Sequence, residues 1–175
     1  MKRRVMNKKL LYRKAYKILD KSTPLKIDCG LLCNKRCCAG DSKSGMQLYP
    51  GEEIMLSNKK FLHLRDEIFH NMNIKFAICN GSCDRKHRPL ACRVYPLTPY
   101  VSQKGKLFIV EDPRAKYICP ILLYNKSKDI DKYFKRKVYK VFLLLSQDED
   151  INKYLLYLSD TIRGYADFTG MKLPI

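Results

Sequence analysis

The chain lacks any run of about 18 apolar residues, which excludes a transmembrane helix. Internal repeats and low-complexity tracts are also missing, so a folded chain is expected, with disorder confined to its termini. There is no G-x-G-x-x-G, no Walker A loop, no H-E-x-x-H and no nucleophile elbow, so dinucleotide, P-loop, zincin and α/β-hydrolase chemistries find no local support. Acidic residues are scarce: 17 Asp and Glu face 35 Lys and Arg, a net charge of +18. Histidine occurs only three times.

What is present is ordinary bulk with an unusual cysteine content. The 175 residues suit one domain, organised as a basic N-terminal helix (1–28), a cysteine-rich core (29–121) and a C-terminal helical hairpin (122–175). The opening MKRRVMNKKLLYRKAYKILD has the basic start of a signal peptide, but Arg13 and Lys14 interrupt its apolar run, and a mature cytoplasmic protein is expected. The excess of cations suits nucleic acid, an anionic membrane face or an acidic protein, although Lys outnumbers Arg 24 to 11 and is spread along the chain, as on a solvated surface.

The hydropathy pattern predicts an α+β fold: a small antiparallel sheet with metal-bound cysteine-rich loops, an N-terminal helix and a C-terminal helical hairpin. Leu11, Ala15, Ile18 and Leu19 form an apolar stripe over residues 7–19, with Lys9, Arg13 and Lys17 on another face. Residues 24–45 lose periodicity and read as a loop that something must tie down. YPGEEIML reads as a short helix with Glu52 and Glu53 suited to its N-terminal dipole. KFLHLRDEIF and NIKFAIC read as paired strands, with Ile74, Phe76 and Ile78 opposing Lys75 and Ala77, and PLTPYVS and KLFIVED as two more joined by a turn at 103–105. Ile130, Phe134, Val138, Val141, Phe142 and Leu145 mark one helix; Ile151, Tyr154, Leu155, Leu158, Ile162 and Tyr165 mark the next, with Ser146 and Glu149 between them in capping-box spacing.

Eight cysteines fall into two quartets: Cys29, Cys33, Cys37 and Cys38, then Cys79, Cys83, Cys92 and Cys119. Each begins with a C-x3-C pair, a spacing that lets two sulfurs reach one ion. A reducing compartment disfavours disulfides, and eight thiols in two groups are too many for packing alone, so metal or iron–sulfur ligation is the leading reading. A regular helix would spread Cys29, Cys33 and Cys37 over about 12 Å, too far for one ion, and a tight loop is expected instead. Cys37 and Cys38 point in different directions in any regular structure, which leaves three arrangements: two nearby metals, one ligand with a supporting thiol, or a polynuclear cluster. Lys35, Arg36, Arg85, Lys86 and Arg88 surround the thiols and favour thiolate. His87 is a weak candidate ligand; His63 and His70 have no cysteine nearby. Arg93 has two candidate partners, the thiolates and Asp112.

The segments CGLLCNKRCC, GMQLYPGEE, CNGSCDRKHRPLACRVYPLTP and VEDPRAKYICP resemble the YkgJ-type cysteine-cluster family over about residues 28–121. The sharpest match is RPLACRVYP, where Arg88, Pro89, Cys92, Arg93 and Pro96 stand at the family's R-P-x-x-C-R-x-(F/Y)-P positions. The first motif departs from the family, being C-x3-C-x3-C-C instead of C-x2-C-x2-C-C. The resemblance implies a zinc- or iron-chelating domain with all eight cysteines as ligands. A related module occurs in the longer flagellin lysine-N-methylases, so an iron–sulfur-dependent enzyme is the alternative. A basic nucleic-acid-binding module, using the N-terminal helix, DRKHR and Lys132–Lys140, is a further one.

Overall fold

A computed structural model describes residues 7–38, 45–56, 59–81, 83, 85–124 and 127–175. Of the expected loop over 24–45, residues 39–44 lie outside the described set, as does Asp84 of DRKHR. The fold is α+β, with helices at both ends of the chain and antiparallel strands between them. Among the described residues no helix is long and apolar enough to cross a membrane.

The first helix, α1 (Lys8–Ile18), is capped by Asn7, whose side chain accepts from the Lys9 N–H. Its buried stripe is wider than the aliphatic pattern suggested, because Tyr12 and Tyr16 join Leu11 and Ala15 in the core while Lys9, Arg13 and Lys17 stay exposed. A four-residue helix, α2 (Cys29–Leu32), and a 3-10 turn (Arg36–Cys38) carry the first quartet. The strand β1 (Gly45–Gln47) follows, then α3 (Glu53–Leu56), the hairpin β2 (Leu62–Phe69) and β3 (Met72–Cys79), α4 (Leu90–Val94), the hairpin β4 (Leu97–Val101) and β5 (Leu107–Glu111), and α5 (Pro120–Leu123). The chain ends in α6 (Lys132–Leu145) and α7 (Glu149–Thr169).

The strands divide between two sheets. One has the order β1-β3-β2, all antiparallel; the other is β4 with β5 alone. The strand β1 had no signal of its own, since its three residues form a strand only by pairing with β3, Gly45 opposite Ile78 and Gln47 opposite Phe76. Gly45 fits there because a Cβ would stand 2.3 Å from the Ala77 carbonyl oxygen.

In β3, Ile74 is buried as expected, but Ala77 is buried as well. Three residues apart on a strand, they face opposite sides. Ile74 joins the main core, and Ala77 joins a satellite cluster with Leu48 and Leu56.

The main core lies between α1, the β4–β5 hairpin and the α6–α7 pair, where Phe134, Val138, Val141, Phe142 and Leu145 meet Ile151, Leu155, Leu158 and Ile162. Helix α7 packs on β4, and the Ser159 hydroxyl accepts the Val101 N–H at 2.8 Å while donating to the Leu155 carbonyl. Tyr165 does not belong to this stripe: it is exposed, and Ala166 is buried in its place. The capping box is not formed either. Ser146 closes the last turn of α6, donating to the Leu143 carbonyl, and Asp148 caps α7 by accepting from Ile151. A carboxylate at that position also complements the helix dipole, which a serine hydroxyl does more weakly.

Candidate metal centre

None of the eight cysteines forms a disulfide, and the fold regroups them. Cys79 ends β3, Cys83 follows in the loop, and Cys92 sits in α4. These three lie within electrostatic reach of one another and of Cys38, from the first quartet. Burial, and then the neighbouring Cys38 charge, push the Cys92 thiol well above the usual thiol range. Gly81, with φ of +82°, lets the loop turn back towards Cys38 and donates its N–H to the Cys79 sulfur.

Cys33, Cys37 and Cys119 form a neighbouring group. Cys37 interacts with Cys33, and Cys33 with Cys119, which stands at the N-cap of α5 without a side-chain hydrogen bond to the helix N–H groups. Burial raises the Cys119 thiol. Cys29 opens α2, one turn before Cys33. The expected tight loop is thus only partly right: Cys29–Leu32 is helical, and the turn comes at Asn34 and Lys35, with φ of 50° and 53°.

Cys37 and Cys38 stand where the two groups meet. They do not simply diverge, because they hydrogen-bond each other, with Cys37 donating to Cys38. That bond, helped by Arg88 and Lys35, lowers Cys38 to about 6, so Cys38 is the thiolate of the pair, while the same bond raises Cys37.

Of the expected cations, Arg88 touches sulfur, donating from Nε to Cys83 Sγ at 3.4 Å. Arg93 does not pair with Asp112. It is buried, donates to the backbone carbonyls of Arg88 at 2.8 Å and Lys86 at 2.7 Å, and stacks 4.4 Å from the Tyr16 ring. Asp112 instead takes a two-point bond from Arg114, Nη2 lying 2.7 Å from Oδ2. Arg93 therefore fastens the segment that holds Arg88 against the thiols.

Two residues escaped the sequence reading. Met46 places its sulfur 2.8 Å from Cys92 Sγ, adding a soft thioether to the group. Glu52 is not a solvent-facing complement to α3 but is fully buried, accepting from Tyr16 Oη at 2.7 Å, the Leu90 N–H at 2.6 Å and the Tyr49 N–H at 3.1 Å. It ties α1 to the start of α4, the helix that carries Cys92 and Arg93. Its only local signal was adjacency to a helix start.

The histidines stay apart from this constellation in role. His63 projects from exposed β2, and His70 stacks on Tyr157 with centroids 4.9 Å apart. His87 lies in the 3-10 turn Arg85–His87.

As a donor set, thiolates with a backbone N–H bond to sulfur and a touching guanidinium suit a soft or borderline cation. Among the described residues, however, no three Cys, His, Asp or Glu side chains are drawn together closely enough to hold one ion. No family model, curated protein or solved structure matches the chain.

Proposed function

We propose that this protein is a metal-chelating cysteine-cluster protein whose thiolates hold zinc or an iron–sulfur cluster. The observation that carries the reading is the gathering of Cys38, Cys79, Cys83 and Cys92, from three separate stretches of chain, into one electrostatically linked group beside Arg88. Four thiols within electrostatic reach of one another repel as thiolates and are compensated when a cation draws them together. The Gly81 N–H bond to Cys79 and the Arg88 contact support the same reading, because each offsets charge on a ligating sulfur. The motif resemblance to the YkgJ-type family is a further support. Bound zinc would supply a structural crosslink; an iron–sulfur cluster would add electron transfer.

Anaerobic purification followed by elemental analysis and a visible spectrum tests the proposal. Stoichiometric zinc in a colourless protein, or iron and sulfide in a brown one, is the expected result. Folded protein free of both overturns it.

A further inference from the structure

Beside the thiols, a cavity of about 580 Å³ runs into the body of the fold, a volume in the range of small-molecule sites. Its lining includes Cys37, Cys38 and Cys92 together with Tyr154, Leu158 and Thr161. Tyr95 also lines it, and its phenolic oxygen is buried with no hydrogen-bond partner among the described residues. A buried hydroxyl left unsatisfied is costly, and one that lines a cavity is a donor awaiting an acceptor.

The charges near that hydroxyl indicate what the acceptor is. Tyr95 is within electrostatic reach of Cys119, Cys37 and Asp112, and of the Arg114 guanidinium, and Asp112 and Arg114 line the same cavity. Arg114 spends Nε and Nη2 on Asp112, which leaves Nη1 over from that pairing. Arg36, Arg88 and Arg114 contribute three guanidinium groups to the lining, against the carboxylate of Asp112 and the Cys38 thiolate, one of five cysteine sulfurs there. Within electrostatic reach of Arg114 the wall is aromatic, with the Tyr154 ring tilted 49° against that of Phe69 at a centroid distance of 5.3 Å.

We infer that the cavity binds a small monocarboxylic acid with an apolar or aromatic body, its carboxylate taking the Tyr95 hydroxyl and the spare N–H groups of Arg114 and its body lying along Tyr154 and Phe69. A planar two-oxygen head matches one phenol and one guanidinium. A phosphate dianion would bring a larger charge against neighbouring Asp112 and more acceptors than these two groups satisfy. This inference goes beyond metal chelation and does not require it.

Calorimetric titration of the intact protein with 3-phenylpropionate, and with the uncharged 3-phenylpropanamide, tests the assignment. The acid is expected to bind at one site, with the amide about tenfold weaker because a charge-assisted hydrogen bond becomes a neutral one. Tyr95→Phe, which removes one oxygen and keeps the ring, should weaken the acid about threefold to tenfold. Thr161→Phe, on the cavity-facing side of α7, should block it by volume. Absence of acid binding in the millimolar range overturns the inference, as does equal affinity for the amide. An acid that binds Tyr95→Phe unchanged also overturns it, since that is the behaviour of a carboxylate ligating bound metal directly. Metal content measured on the same samples keeps failure here separate from failure of the chelation proposal.

Discussion

Arg93 donates from Nε to the backbone carbonyl of Arg88 across 2.8 Å, so one buried guanidinium sets the position of the next. Arg88 then donates to Cys83, which places a cation against the thiols through two linked contacts. Replacing Arg93 by Ala leaves the Lys86 and Arg88 carbonyls without their charged donor and should cost about 3 kcal/mol in urea unfolding. Lysine restores the charge but not the two-pronged geometry, so Arg93→Lys should recover only part of the loss.

The pair Cys37 and Cys38 predicts a selective nucleophile in metal-free, reduced protein. With its pKa lowered to about 6, Cys38 should be the first thiol alkylated at neutral pH, its rate falling as pH drops through that value. Cys37→Ala removes the donor and should move the rate profile of Cys38 upward in pH, whereas Cys37→Ser retains an O–H donor and should largely preserve it. Mass-spectrometric mapping of iodoacetamide labelling against pH reads both.

Burial holds the Glu52 carboxyl above its ordinary value, with its three hydrogen-bond donors acting in the opposite direction. The folded protein therefore retains this proton to higher pH than the unfolded chain does. Stability contributed by the protonated form is fully present below the ordinary glutamate range and is lost as pH rises from that range through the folded value. Glu52→Gln cannot titrate, so the difference in unfolding free energy between wild type and variant should move in the variant's favour with rising pH across that window. A pH-independent difference would show that Glu52 does not titrate with a raised value.

Helix α7 distinguishes two caps. Asp148→Ala should cost about 1 kcal/mol, because it frees the Ile151 N–H, while Ser146→Ala should change stability by only a few tenths. Equal effects would restore the capping box that the sequence spacing suggested.

The helical hairpin and the cysteine core share one hydrophobic interior. Tyr49, which precedes Glu52, lies 5.2 Å from the Phe142 ring and 5.5 Å from that of Tyr154. Phe142→Ala should cost about 3–5 kcal/mol and lower the unfolding midpoint of the whole chain in a single transition. A separate transition confined to the helices would contradict a shared core.

Periodicity made most of the secondary structure legible, because Phe134 to Leu145 and Ile151 to Ile162 carry a helical stripe, and both hairpins form, the β4–β5 one turning at the expected 103–105. The division into two sheets was not legible, since β1 exists only through a partner about thirty residues away. The regrouping of thiols was hidden for the same reason: spacing reports neighbours along the chain, whereas Cys38 is assigned to Cys79 and Cys92 by the tertiary fold. Arg93 read as an ion-pair residue because carboxylates are visible in a sequence, while two of the acceptors it finds are main-chain carbonyls, which every residue has. Glu52 looked like a surface acid until Tyr16 and Leu90, distant on either side, closed over it.

The packing of α1 on α6 also carries an order in time. On a chain made from its N-terminus, the first helix emerges with the α3 segment to pack on, but its α6 docking surface is missing until residues 132–145 have been synthesised. By then every thiol has already been synthesised. Closure of the interior is thus a late event that follows assembly of the cysteine-bearing middle, and a chain stalled before α6 would display both its reactive sulfurs and its unburied tyrosines to the quality-control machinery.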